Sequence, residues 1–157
     1  MKKMALDIQR FAETGNTTVN IGQFAVNQCT FKVKVNNAYV AIKDIKEVNL
    51  TIDNNIETWY SMTDEGWQNA LLTAKALTGS ISGNRCLGDA GNDYLDGLRY
   101  NIAKAAEADF EVGFPNGAKL EFTAVVALTD ILGEATAVGP LAGNLTGNGK
   151  PNFTPAS

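Results

Sequence analysis

Three aspartates and an asparagine lie among three glycines in the segment Gly88-Asp89-Ala90-Gly91-Asn92-Asp93-Tyr94-Leu95-Asp96-Gly97. This resembles the G-G-x-G-x-D-x-U-x pattern whose successive β-helix turns hold Ca²⁺ between them. Such a site needs an adjacent turn to complete the coordination sphere, and about three stacked repeats to make a core. Neither "ALTGSISGN" before the segment nor "LRYNIAKAAE" after it supplies a second copy. An EF-hand fails as well: counting from Asp89, the third position is Gly91 and the twelfth is Tyr100, where carboxylates are required. The same residues suit a turn into a helix. Gly88 and Gly91 permit positive φ, Asn92 or Asp93 can cap the helix amino terminus, and Asp96 in the first turn complements the helix dipole. A calcium-dependent binding or adhesion module using residues 88–97 is the alternative to this turn; the expectation is no metal and no cofactor.

Other catalytic chemistry is scarce. Histidine is absent, which removes Ser-His-Asp and Cys-His nucleophilic systems and most familiar zinc and iron sites. Asp89 with Asp93, or Asp64 with Glu65, could form a carboxylate pair, but scattered acids on turns are ordinarily solvated. Cys86 follows Arg85, a cation that could stabilise its thiolate. Cys29 and Cys86 form no C-x-x-C pair, and two buried reduced thiols are expected. Gly147-Asn148-Gly149-Lys150 resembles a phosphate loop, yet Pro151 stands where Ser or Thr must bind Mg²⁺. No enzymatic activity is expected.

The elements that position these residues are mostly strands. Cys29, Phe31, Val33 and Val35 alternate with polar neighbours, as do Val48, Leu50 and Ile52, the period of a half-buried strand. "DNNIETWYSMTDEG" at residues 53–66 reads as a long loop or an extended hairpin tip, with exposed-looking Trp59, Tyr60 and Met62. Trp67, Ala70, Leu71 and Ala74 fall at helical spacing, and Thr78 to Ser82 is extended. Tyr94, Leu95, Leu98, Ile102 and Ala105 recur at intervals of three and four and predict a helix over 93–105. "DFEVGF" and "AKLEFTAVVAL" flank Pro115-Asn116-Gly117, a hairpin signal. A short strand is expected near Leu141 to Thr146. Layer rules make the whole a mainly β sandwich or partly closed barrel with one flanking helix.

With 157 residues, one core is expected. The predicted organisation is an amino-terminal arm at 1–18, a single β-sandwich domain at 19–146 and a carboxy-terminal tail at 147–157. Net charge is −4, which gives no basic face for phosphate backbones or anionic membranes. No apolar run approaches the ~20 residues of a membrane span, and the amino terminus lacks a signal-peptide pattern.

Taken together, the segments resemble the tail tube (major tail) proteins of bacteriophages. The resemblance is carried by "ETWYSMTDEGWQNALLTAKALTGSISGNRCLGDAGNDYL", with Trp59, Gly66-Trp67, Thr73-x-Lys75 and Gly88-Asp89-x-Gly91-Asn92-Asp93 as a spaced set, and by "FEVGFPNGAKLEFTAVV" and "LTGNGKPNF". It implies two packed antiparallel sheets with a flanking helix. It also implies hexameric rings that stack into a tube around a tape measure protein, with tail terminator and baseplate or tail-tip proteins as further partners. DNA would pass through the lumen without sequence-specific binding, and the protein would reside in the virion tail after assembly in the host cytoplasm. Trp59, Tyr60, Met62 and Trp67 become candidates for contacts between subunits or rings, as do the arm, the 53–66 segment and the tail. Terminators, baseplate hubs and secretion-type tube proteins share the ring plan, so fold alone leaves those roles open.

Overall fold

The computed structural model describes residues 22–156, so the arm expected at 1–18 lies outside the described residues. Eight strands are present among the described residues: β1 (Thr30–Val35), β2 (Ala38–Ala41), β3 (Ile45–Tyr60), β4 (Gln68–Asn84), β5 (Glu107–Gly113), β6 (Lys119–Leu128), β7 (Pro140–Gly147) and β8 (Asn152–Thr154). They join in one antiparallel sheet ordered β2-β1-β5-β6-β7-β4-β3, with β8 against the start of β6. Mainly β is thus correct, and of the sandwich and partly closed barrel that were expected the sheet matches the second: one continuous ladder stands in place of two packed sheets. The sheet curls into a half-barrel, and one core takes Val33 from β1 and Leu77 and Ile81 from β4. Glycines allow the curl where strands approach closely. A Cβ at Gly143 would lie 2.7 Å from the Cα of Leu128, and one at Gly79 would meet the carbonyl of Asn49.

The centre of the core is a column of rings. Phe110 of β5 stacks on Phe31 at 5.3 Å and on Phe122 at 5.4 Å between centroids. Their strands pair directly, with Val33 opposite Phe110 and Phe110 opposite Phe122, so the alternation read in β1, β5 and β6 places these side chains on the inner face.

The expected helix at 93–105 is instead α1 (Ala90–Gly97) followed by 3-10 turns at Leu98–Tyr100 and Ala103–Ala106. Leu95 and Leu98 are buried as the periodicity requires, whereas Ile102 is exposed. Between the turns Asn101 is extended and its side-chain amide donates to the carbonyl of Ala105 at 3.1 Å, a local bond that competes with helix continuation. The N-cap also differs: Asp89, not Asn92 or Asp93, accepts the N–H of Asn92 at 3.0 Å. Gly88, at φ +92°, makes the turn into that cap.

Asn92 is fully buried and all of its amide valences are used. Its Oδ1 accepts from Arg85 Nη1 (2.8 Å) and the Cys86 N–H (3.0 Å), while its Nδ2 donates to the carbonyls of Lys43 (3.1 Å) and Asn84 (3.0 Å). The residue ties α1 to the end of β4 and to the link between β2 and β3. The tail is partly ordered too, since β8 continues β7 along the same edge of β6 after Asn148 donates its N–H to the carbonyl of Thr123.

Candidate interaction surfaces

The largest departure from the sequence reading creates the first surface. Residues 53–60, read as a long loop or an extended hairpin tip, and 68–76, read with helical spacing, are the distal halves of β3 and β4, so the hairpin alternative holds and the helix does not. Ala, Leu and Lys favour helices intrinsically, but pairing with β3 along the whole of β4 overrides that weak preference. The tip is tightly made. Ser61 Oγ accepts the N–H of Thr63 at 3.3 Å, Trp67 donates its N–H to the carbonyl of Asp64 at 2.8 Å, and Asp64 Oδ2 accepts from Asn69 Nδ2 at 2.6 Å. Glu65 and Gly66 reverse the chain in left-handed conformations.

Beyond the β4–β7 pairing, which ends at Thr78 opposite Thr146, the hairpin carries no third strand among the described residues. It projects about 25 Å at strand rise. Within it, Trp59 is 47% exposed, Tyr60 69%, Met62 103% and Trp67 78%. All four contact candidates therefore cluster on one projection. Register divides the strand residues: Ile56, Tyr60 and Leu72 lie on the face continuous with the core, and Trp59 and Leu71 on the opposite face. The sequence reading missed Ile52, Ile56 and Leu72, which are all exposed apolar residues. The period-two placement of Ile52, Ile56 and Tyr60 in 52–60 was the available signal, obscured by Asn54 and Asn55. An isolated two-stranded ribbon is marginal in water, and so large an apolar patch marks an interaction site.

The second surface is the outer face of the sheet. Across β3, β4 and β7 it presents Glu47, Asn49, Thr51, Thr78, Ser80, Ser82, Ala142, Asn144 and Thr146, with no lysine or arginine. Thr51 and Thr78 hydroxyls meet at 3.0 Å, and Thr78 donates to Asp53 at 3.0 Å. Across β5 and β6 the same face carries Glu107, Asp109, Glu111 and Glu121 with Lys119, and β1 adds Lys32 and Lys34. Lys32 approaches Glu111 at 3.8 Å, and the Thr123 hydroxyl donates to Asp109. The Tyr39 phenol is pushed above its ordinary pKa, first by desolvation and then by the negative charges of Glu121, Asp109 and Glu111.

The segment at 88–97 does other work. Asp89 also accepts the N–H of Lys43 at 3.2 Å, Asp93 accepts that of Gly88 at 3.2 Å and pairs with Arg85 at 2.7 Å, and Asp96 binds Arg85 and Arg99 at 3.4 and 2.9 Å. These bonds hold the helix to β4. Arg85 is thus engaged by carboxylates beside Cys86. Both cysteines are free and half-buried, less enclosed than expected, and burial raises the Cys29 thiol pKa.

No family model matches the chain, and no curated protein matches it. Solved structures do. A chain from the tail of an empty gene transfer agent (GTA) particle, determined with helical refinement and C6 symmetry, superposes with a TM-score of 0.70 at 13% identity, over 85% of this chain and 100% of that one. A chain from the virion of the native GTA particle gives 0.63 at 18% identity, with the same coverage. At these identities the likeness is one of fold.

Proposed function

We propose that this protein is a structural tail tube subunit that assembles into stacked hexameric rings, whose lumen conducts DNA from a virion into a host. The observation that carries the reading is the match of its fold to a whole chain of a GTA tail solved with C6 symmetry. The projecting hairpin supports it: Trp59, Tyr60, Met62 and Trp67 are residue types found at interface centres, and here all four are exposed among the described residues. A head-to-tail contact that does not close yields a filament. In this reading the hairpin reaches the adjacent subunit or ring, and the outer sheet face lines the lumen. Nucleic acid is held by lysine and arginine on phosphates. The part of that face on β3, β4 and β7 offers hydroxyls, amides and a carboxylate with no lysine or arginine, a surface that lets DNA slide past. The tape measure protein, terminator and baseplate or tip proteins are the further partners, the virion tail is the final location after assembly in the host cytoplasm, and the role is structural, with no catalysis.

Electron microscopy and native mass of the concentrated protein test this. Tubes of uniform width built from sixfold rings are expected. A protein that stays monomeric across salt, pH and concentration would defeat the proposal, and single rings that never stack would reassign it to a terminator-like component.

A further inference from the structure

The chain contains two Asn-Gly pairs, Asn116-Gly117 and Asn148-Gly149. Asparagine is chemically labile, and most so before glycine, where no Cβ hinders attack of the next backbone nitrogen on the side-chain carbonyl carbon. The fold treats the two pairs differently. Asn116 sits in the turn between β5 and β6, where its Oδ1 accepts the N–H of Ala118 at 3.0 Å and the Gly117 N–H donates to the carbonyl of Phe114 at 3.0 Å. The nitrogen that would attack is held in the turn, and it is released only when that bond opens.

Asn148 lies between β7 and β8, exposed to solvent, and its own N–H donates to the carbonyl of Thr123 at 2.8 Å. Gly149 follows at φ +89°, and its N–H has no acceptor among the described residues. The attacking nitrogen is thus free here. The Asn148 carboxamide is tied through Nδ2, which donates to Glu107 Oε1 at 2.8 Å and pins the turn to the start of β5.

We infer that Asn148 is a deamidation site, and that its conversion slowly and irreversibly releases the strand that follows it. The Gly149 nitrogen gives its proton to solvent and bonds to Asn148 Cγ, while Nδ2 takes a proton from water and leaves as ammonia. Water then opens either carbonyl of the cyclic imide, which gives aspartate or isoaspartate with no change of oxidation state. Glu107 restrains the first step, because it fixes the carboxamide and sets a negative charge beside the anionic nucleophile. Afterwards it drives the turn apart: the new carboxylate has no proton to donate and repels Glu107. In isoaspartate the main chain also runs through the former side-chain carbon, so the link to β8 is a methylene too long. The register pairs Lys119–Thr154, Leu120–Phe153 and Glu121–Asn152 are all that join β8 to β6, and Phe153 is exposed already, so little opposes detachment.

The full chain tests this when it is incubated in mildly alkaline buffer, both folded and in concentrated urea, with peptide mapping of the amide-to-acid mass gain at each asparagine. In the folded chain Asn148 should convert ~5-fold faster than Asn116 or more, the factor set by one hydrogen bond that must open first. In urea the two rates should converge. Equal or faster conversion at Asn116 in the folded chain, an intact Asn148, or the same preference in urea would each overturn the assignment. Glu107→Ala should speed Asn148 ~3-fold or more and leave Asn116 unchanged, since a hydrogen bond to a charged partner is lost; a slower reaction would overturn the restraint. Hydrogen exchange of the converted protein should show Asn152–Thr154 unprotected, and protection equal to that of fresh protein would overturn the release. The reaction needs no partner, so it is read on the single subunit whether or not rings form.

Discussion

One hairpin has two halves with opposite fates. In the proximal half, Ile45–Ile52 and Leu77–Asn84 have β7 as a third strand, and Leu77 and Ile81 lie in the core. In the distal half, residues 53–60 and 68–76 pair just as regularly, yet every side chain except that of Asn69 is exposed. Composition separates them little: the proximal half holds six large apolar residues and the distal half five, Ile56, Trp59, Tyr60, Leu71 and Leu72. What separates them is the loss of the third strand once β7 leaves β4 after Thr146. Regular backbone pairing therefore reveals little about where stability resides: a ribbon held by ladder bonds alone leaves its apolar surface for another molecule.

The contrast is sharpest in mutations ranked by their effect on a single subunit. Phe110→Ala empties the centre of the ring column and should cost about 3–5 kcal/mol, enough to unfold much of the population at room temperature. Denaturant titration followed by circular dichroism checks it, and a loss under 1 kcal/mol would mean that the core is not where burial places it. Asn92→Ala strands the carbonyls of Lys43 and Asn84, the Cys86 N–H and the Arg85 guanidinium together. It should cost about 2–3 kcal/mol. If α1 were merely docked on the surface, the same titration would show almost no change.

These two residues also mark how far sequence reasoning reached. Phe110 was legible because a strand alternating between core and solvent shows its period directly, and so did β1, β6 and β7. Asn92 was correctly placed at the start of the helix but assigned the wrong job. Capping is local, and the selection of Asp89 depends on the chain reversal at Gly88. The bonds from Asn92 to Lys43 and Asn84 join residues brought together only by the fold. The distal half of β4 reads as helical because its residues are intrinsically helix-favouring and its partner strand lies in a segment that reads equally as a long loop or an extended hairpin tip. The exposure of Trp59, Tyr60, Met62 and Trp67 was legible despite that error, since they stand out among polar turn residues whatever the backbone does. The acidic outer face was invisible, as it needs the register of β5 against β6.

Distal substitutions should behave in the reverse manner. Trp59→Ala with Trp67→Ala should shift the stability of an isolated subunit by no more than about 0.5 kcal/mol per site, the range of exposed positions. The same pair should abolish higher-order assembly in native mass measurements if the hairpin is an interface. Hydrogen exchange adds the backbone view: amides of Thr78–Asn84 should be protected in the monomer, and those of Gln68–Ala76 only after assembly. Equal protection in the monomer would break the division between the two halves.

The smallest effect concerns charge, and it falls on the body of the molecule. Desolvation and the nearby Glu121, Asp109 and Glu111 carboxylates raise the folded-state pKa of Tyr39 above its unfolded value. The folded protein therefore holds that proton more tightly than the unfolded chain does. The associated stability is fully present below the ordinary phenol pKa of about 10, and is lost as pH rises through the folded value. Tyr39→Phe removes the titration, so wild type and variant should diverge only in alkaline solution, with wild type losing the more stability above pH ~10. Thermal melts across pH 8 to 11 at low salt measure this, and added salt should shrink the difference by screening the carboxylates. Divergence below pH ~9 would instead point to a lost packing or hydrogen-bond contribution from the hydroxyl. The distal hairpin carries none of these three carboxylates, so its exchange rates should not register the ionisation. That insensitivity makes the phenol a reporter for the sheet body alone.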